Sequence, residues 1–419
     1  MNRAQWSQSE SNILKPILRC ALCQNTFGVD ERVYRCDKDN FPLEVEYDFE
    51  SLKGITRETF AGRSWNMWRY RELLPILDIT KVVSLGEGGT ALWKSKRLAK
   101  ILGLKNLYLK DETRNPTWSF KDRGSSVGVS KAMEIGATSI GCVSSGNMAA
   151  SLSTYAAQAG MKALVLIRTG VPNEKIIHIL VCGARVVSVD LPYPVLYQQG
   201  LVLSNKYGVY SVHSDAPMRV EGQKTSSLEI CEQLGWNVPD KIIVPTSSGG
   251  NMSAHWKAWK DLNRIGLVDR KPSMIAVQNE AATPIHSAFV NGDESVHPVS
   301  ENPSIATSIV NPDPPSGLRV LKLLRDSRGL TETVDDDEML QAQRLLGQSE
   351  GTFVEPGGCS SIAALKKLVD KDVIDADETI VAVLTGAGIK DVHSAMKFSG
   401  EPSSAKSVEE LERFVKAFA

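Results

Sequence analysis

The sequence predicts an α/β chain built on parallel sheets, and two observations carry that prediction. From about residue 80 onward, short apolar runs rich in β-branched residues end in Gly, Ser or Asp. A stretch with helical spacing follows each run, and parallel sheets covered by helices on both faces produce that alternation.

The runs at 106–109, 139–143, 163–167, 185–189, 241–244, 274–277 and 379–384 are too short for helices and read as strands. Between them, 149–158, 226–234, 253–262 and 360–369 read as helices. The segment 291–336 holds several prolines and little strand pattern until 318–324. It reads as a surface excursion near a site mouth rather than a domain boundary. In open α/β sheets, ligands sit at the carboxyl ends of strands, so the loops after the runs are where chemistry is expected.

Composition narrows the classes. At 419 residues the chain exceeds one small core and favours two or three domains. Hydrophobic residues make up 42% and charged residues 23%, as in ordinary globular proteins. Lys plus Arg total 48 against 49 Asp plus Glu, and no long basic run exists, which argues against nucleic-acid binding. No apolar run suits a membrane span, and the stretch 1–12 lacks a signal-peptide core, so a cytoplasmic protein is expected. Cys142, Cys182, Cys231 and Cys359 stand singly and read as free thiols.

Four loops carry candidate chemistry. In Asn115–Gly124, Pro116 and the hydroxyl residues mark a loop entering a helix near Ser119 or Phe120. Lys121 then lies in the first helical turn, where burial and the helix dipole both lower its pKa and suit it to Schiff-base chemistry. Taken alone, it also reads as a solvated lysine beside Asp122. Ser144, Ser145, Gly146 and Asn147 follow the 139–143 strand and offer donors for a carboxylate or a ring hydroxyl, or a simple helix cap. Thr246, Ser247, Ser248, Gly249, Gly250 and Asn251 have the form of a phosphate cradle at a helix start, without the Gly-Lys-Ser/Thr of a Walker loop. Thr385 presents a hydroxyl at the end of the 379–384 strand.

Gly86-Glu87-Gly88-Gly89-Thr90-Ala91 fits a dinucleotide fingerprint, but its preceding strand is weak and no good helix opens at the third position, so NAD(P) is set aside. The six His show no ligand spacing.

Together these segments resemble the tryptophan-synthase-like, fold type II, family of pyridoxal-phosphate enzymes, and within it the threonine synthase branch. The resemblance spans roughly residues 80–395 and rests on the 85–90, 115–124, 144–147, 219–225, 277–284 and 384–386 motifs in order. It implies two open parallel-sheet domains with the cofactor in the cleft. Lys121 would form the internal aldimine with pyridoxal 5'-phosphate. Asn147 would bond the ring hydroxyl, Ser247, Ser248, Gly249, Gly250 and Asn251 the phosphate, and Thr385 would face the ring nitrogen. The implied reaction turns O-phospho-L-homoserine and water into L-threonine and phosphate. Ser144 and Ser145 then take the substrate carboxylate, and Lys110, Arg219 and Lys224 are candidates for its phosphate. Ala91, Trp118, Met148, Ser247, Ser248 and Ala387 depart from the residues usual in the family. Met148 and Ala387 remove polar groups near the substrate, so β-replacement or β-elimination on O-phosphoserine or threonine stays open, as does a non-catalytic homologue.

Cys20, Cys23 and Cys36 resemble half of a zinc ribbon found in some members, with Asp39 at the fourth position. A Cys₃Asp zinc site and a module that packs without metal both remain open. The expected division is 1–50 as this module, 51–124 with 221–400 as the larger domain, 125–220 as the smaller one and 401–419 as a C-terminal tail. The expected partners are a small amino-acid substrate and a second copy of the chain.

Overall fold

The computed structural model describes residues 16–396 and 402–419. The stretch 1–12, read above for targeting signals, lies outside the described residues.

Three sheets form. Ile17–Cys20, Thr26–Gly28 and Leu43–Glu46 make a small antiparallel sheet. A six-stranded sheet runs in the order Leu330–Val334, Ser273–Asn279, Lys241–Pro245, Thr379–Leu384, Asn106–Asp111, Leu92–Lys94. Only Leu92–Lys94 is antiparallel to its neighbour. The third sheet, entirely parallel, orders Arg185–Val189, Lys162–Arg168, Ser139–Val143, Tyr210–Ser211. Central strands such as Lys241–Pro245 and Thr379–Leu384 are buried almost throughout, as strands covered on both faces must be.

Helices Asn147–Gln158, Gly250–Arg264 and Pro356–Asp370 stand where the periodicity places them. Pro217–Gln233 begins well before the expected 226. Its first half holds Arg219, Glu221, Gln223 and Lys224, all buried, so the helical face does not read as apolar. The apolar run at 318–324 is helix Gly317–Asp326, not a strand. Val320, Leu321, Leu323 and Leu324 share its buried face, the three-and-four spacing of an amphipathic helix. Among the described residues, no helix is long and apolar enough to cross a membrane.

Candidate functional site

A cleft of about 690 Å³ opens where the strands of the two larger sheets end. Lys121, Ser144, Ser145, Asn147, Ser247, Ser248, Gly249, Gly250, Asn251 and Thr385 all line it, so the structure gathers these sequence candidates in one place.

Lys121 opens helix Lys121–Glu134. The loop before it is stitched to the turn after Thr379–Leu384: the Phe120 N–H donates to the Thr385 carbonyl (3.1 Å) and the Ala387 N–H to that of Trp118 (2.9 Å). The Glu355 N–H donates to the Gly386 carbonyl (2.9 Å), tying in a third segment. Trp118 pays for this with a φ of +62°, rare for a bulky residue. Lys121 is half-buried and lines the cleft, and burial lowers the pKa of its amine to about 7. The nearby Arg219 charge lowers it further, and the Glu355 carboxylate partly opposes both. An amine in that range can take and release protons near neutral pH.

The cradle loop is shaped by close backbone approach. Gly249 has φ +88°, and a Cβ there would lie 2.7 Å from Val320 Cγ2. A Cβ on Gly250 would lie 2.2 Å from the Ser214 carbonyl oxygen. Gly250 and Asn251 then begin helix Gly250–Arg264, so unpaired N–H groups and the positive end of the helix face the cleft. The Asn251 Nδ2 is buried without a protein partner. Asn311 Nδ2 donates to Ser248 Oγ (2.8 Å), which brings the proline-rich excursion onto the loop. Residues Ile305 to Pro312 line the cleft as well. The donors fit a phosphate dianion, and Lys121 fits a carbonyl carbon.

Of the three cations expected at a substrate phosphate, none lines the cleft, and two are committed elsewhere. Lys110 Nζ is fully buried and donates to Glu229 (2.7 Å), Gln233 (2.9 Å) and the Thr90 carbonyl (2.9 Å). Lys224 Nζ is fully buried between Glu221 (2.5 Å) and Asp261 (2.8 Å). Gly222, between Arg219 and Lys224, admits the backbone of Arg123: a Cβ would lie 2.1 Å from its carbonyl oxygen. Arg219 differs. Its side chain is wholly buried, and none of its three nitrogens has a hydrogen-bond partner. Lys121 and Tyr193, which line the cleft, both feel its charge.

The glycines of the dinucleotide-like segment serve packing. A Cβ on Gly88 would lie 2.5 Å from the Met67 nitrogen, and one on Gly89 2.2 Å from the Trp65 carbonyl oxygen. Glu229 accepts from the N–H groups of Gly89 (2.8 Å) and Thr90 (3.2 Å), where a pyrophosphate would have to sit.

Sequence reasoning missed Glu355, Lys390 and His178, all lining the cleft. Burial pushes the Glu355 carboxyl up and the Lys390 amine down. The Lys390 Nζ donates to the Thr117 carbonyl (2.7 Å). Glu355 was open to detection: Glu-Pro-Gly-Gly after a short apolar run marks a helix start, with Pro356 at its first turn.

Within the first forty residues, Cys20, Cys23, Cys36 and Asp39 hold one ligand atom each within 4.8 Å of one another. The N–H groups of Leu22 (3.3 Å) and Cys23 (3.4 Å) both donate to Cys20 Sγ. This donor set fits a tetrahedral metal ion.

The family described as pyridoxal-phosphate dependent enzyme matches residues 83–386. The threonine synthase of Methanocaldococcus jannaschii is 42% identical over 92% of this chain and 95% of its own. That of Methanosarcina acetivorans is 38% identical over 92% and 95%. Among solved structures, a diaminopropionate ammonia lyase from Escherichia coli superposes with a TM-score of 0.64 at 16% identity, covering 82% of this chain and 96% of that one. At that identity the likeness shows the fold alone.

Proposed function

The chain belongs to the pyridoxal-phosphate dependent enzyme family, and from that premise we propose that it converts O-phospho-L-homoserine and water to L-threonine and phosphate. The names of its relatives support the product. One observation supports a phosphorylated substrate: Arg219 keeps an unpartnered, wholly buried guanidinium within electrostatic reach of Lys121. A buried cation without a partner is costly, and an arriving anion offsets that cost.

Pyridoxal phosphate, when bound, supplies the electron sink that acidifies the substrate's Cα–H. The chain does the rest. Ser247, Ser248, Gly249, Gly250 and Asn251 would hold the cofactor phosphate at the helix N-terminus. Lys121 would hold the cofactor covalently at rest. Once freed, its amine would carry protons between substrate carbons while phosphate leaves Cγ and water adds at Cβ. Asn147 and Thr385 would orient the ring through its hydroxyl and nitrogen. Ser144 and Ser145 would take the substrate carboxylate, and Arg219 its phosphate. Segment 125–220 would act as the smaller body, closing on 51–124 with 221–400. Phosphate release from O-phospho-L-homoserine and O-phospho-L-serine, assayed side by side, tests the reading. Preference for the serine ester would replace it with β-elimination.

We also propose that Cys20, Cys23, Cys36 and Asp39 hold one structural zinc ion. Metal analysis of the purified protein should find about one zinc per chain, lost in Cys36→Ser. The seven free cysteines suit a cytoplasmic setting. A homodimer, usual among family members, would show as twice the chain mass by light scattering.

A further inference from the structure

A second cavity, of about 300 Å³, lies between the small antiparallel sheet and helices Gly250–Arg264 and Gly317–Asp326. It shares no lining residue with the cleft. Arg319 reaches into it from the second helix with only 5% of its surface exposed. All three nitrogens of its guanidinium are buried without a hydrogen-bond partner. Glu44 stands 3.9 Å away and is shared with Lys260 at 3.5 Å, Asp215 adds a more distant negative charge, and Glu46, Asp261 and Asp326 also line the cavity. Lys322 adds another positive charge to the lining, and Phe41, Phe49 and Trp256 give the same cavity flat apolar walls.

A guanidinium has five N–H donors and cannot shed its charge in a protein. Leaving them all unmade in a buried position costs more than the loss of a single charged hydrogen bond. A sequence that only needed to fill this position could use Met or Leu. The cavity therefore combines an unspent fork of donors, a local surplus of cations around Glu44, and aromatic surface for a non-polar ligand body.

We infer that this cavity is a binding site for a small organic anion, a carboxylate or phosphate ester with a flat apolar part, separate from the catalytic cleft. The anionic group docks on the Arg319 fork, Lys260 and Lys322 add long-range attraction at the rim, and the apolar part lies against Trp256 and the two phenylalanines. Both helices that line the cavity begin at the cradle loop of the cleft: Gly250 starts one, and the Ser316 N–H, which caps the other, donates to the Ser248 carbonyl (3.0 Å). The site is thus placed beside the elements that shape the cradle without touching the reacting groups.

The test is calorimetric titration of the holoenzyme with two probes, benzoate and phenyl phosphate, which separate carboxylate from phosphate recognition. The expected result is one saturable equivalent for at least one probe. Arg319→Met should weaken it at least about tenfold, as loss of a charge-assisted fork does. That variant removes an unpaired buried charge at nearly constant length, so its Tm should hold or rise. Should it fail to fold, the surface double variant Lys260→Ala with Lys322→Ala decides, with binding weakened by about two- to fivefold. Arg219→Met should leave the equivalent in place. The inference is overturned if neither probe binds, if binding survives these changes at full strength, or if it disappears with Arg219→Met, which would put the probe in the cleft.

Discussion

The Asn147 side-chain amide donates to both carboxylate oxygens of Glu355, each at 3.0 Å. Asn147 follows a strand of the four-stranded sheet, and Glu355 precedes a helix packed on the six-stranded one, so this pair spans the cleft beside Lys121. Burial raises the Glu355 pKa, and its carboxylate in turn raises that of Lys121. Glu355→Gln removes that support while keeping shape and an acceptor for Asn147. The Lys121 amine should then lose its proton more readily, and the acid limb of the kcat–pH profile should move to lower pH. An acid limb that stays put or moves up would show that the two groups are not coupled.

Lys121 itself is tested by Lys121→Ala, which should stay folded and lose both turnover and the visible absorbance of the bound cofactor. Borohydride reduction and peptide mapping of the wild type should place the tag on Lys121. Lys110 and Lys224, sealed in ion pairs, should carry none.

The same amine makes a pH-dependent stability prediction for the cofactor-free chain. Its folded pKa, about 7, lies below its ordinary value of 10.5. Above 10.5 it is neutral in both states. As pH falls toward 7 the unfolded chain takes up the proton first, so folded stability drops across that window and levels off below it. Lys121→Met escapes the loss. Its Tm advantage over the cofactor-free wild type should therefore grow from pH 10 to pH 7, and a constant difference would contradict the shift.

Gly250→Asp should abolish cofactor binding, because it sets a carboxylate against a phosphate and a side chain against the Ser214 carbonyl. Gly250→Ala carries only the steric part and should still weaken cofactor affinity, measured by titration of the apoenzyme. Wild-type affinity in both variants would remove the loop from the cofactor site.

The three motif cations should separate cleanly. Arg219→Met should raise the Michaelis constant for O-phospho-L-homoserine about ten- to a hundredfold, the worth of a charge-assisted contact to phosphate. Lys110→Met and Lys224→Met each strand buried carboxylates and should cost about 3–5 kcal/mol of stability, visible as a lower Tm. In the folded fraction their Michaelis constants should stay near the wild-type value. A raised constant in Lys110→Met with no loss of stability would reverse these assignments.

What was legible in the sequence was local. Backbone geometry within a few residues dictated the small residues of the 246–251 loop, the proline and hydroxyls ahead of Lys121, and the strand that precedes each turn. Those short-range demands leave residue types in fixed order, so the cleft-lining candidates Lys121, Asn147, Thr385 and the cradle could be named before any fold was known. What only the tertiary structure decided was which charges are spent. Lys110, Arg219 and Lys224 look alike in sequence, but the carboxylate that takes Lys110 is Glu229, 119 residues away, and the one beside Lys224 across the helix pair is Asp261, 37 away. The run at 318–324 was ambiguous for the same reason: so short an apolar segment fits a strand or a helix, and only packing of Val320 and Leu324 into the core under Gly250–Arg264 settles it. Periodicity and loop chemistry are written along the chain, whereas the pairing of buried charges depends on residues that become neighbours only once the chain has folded.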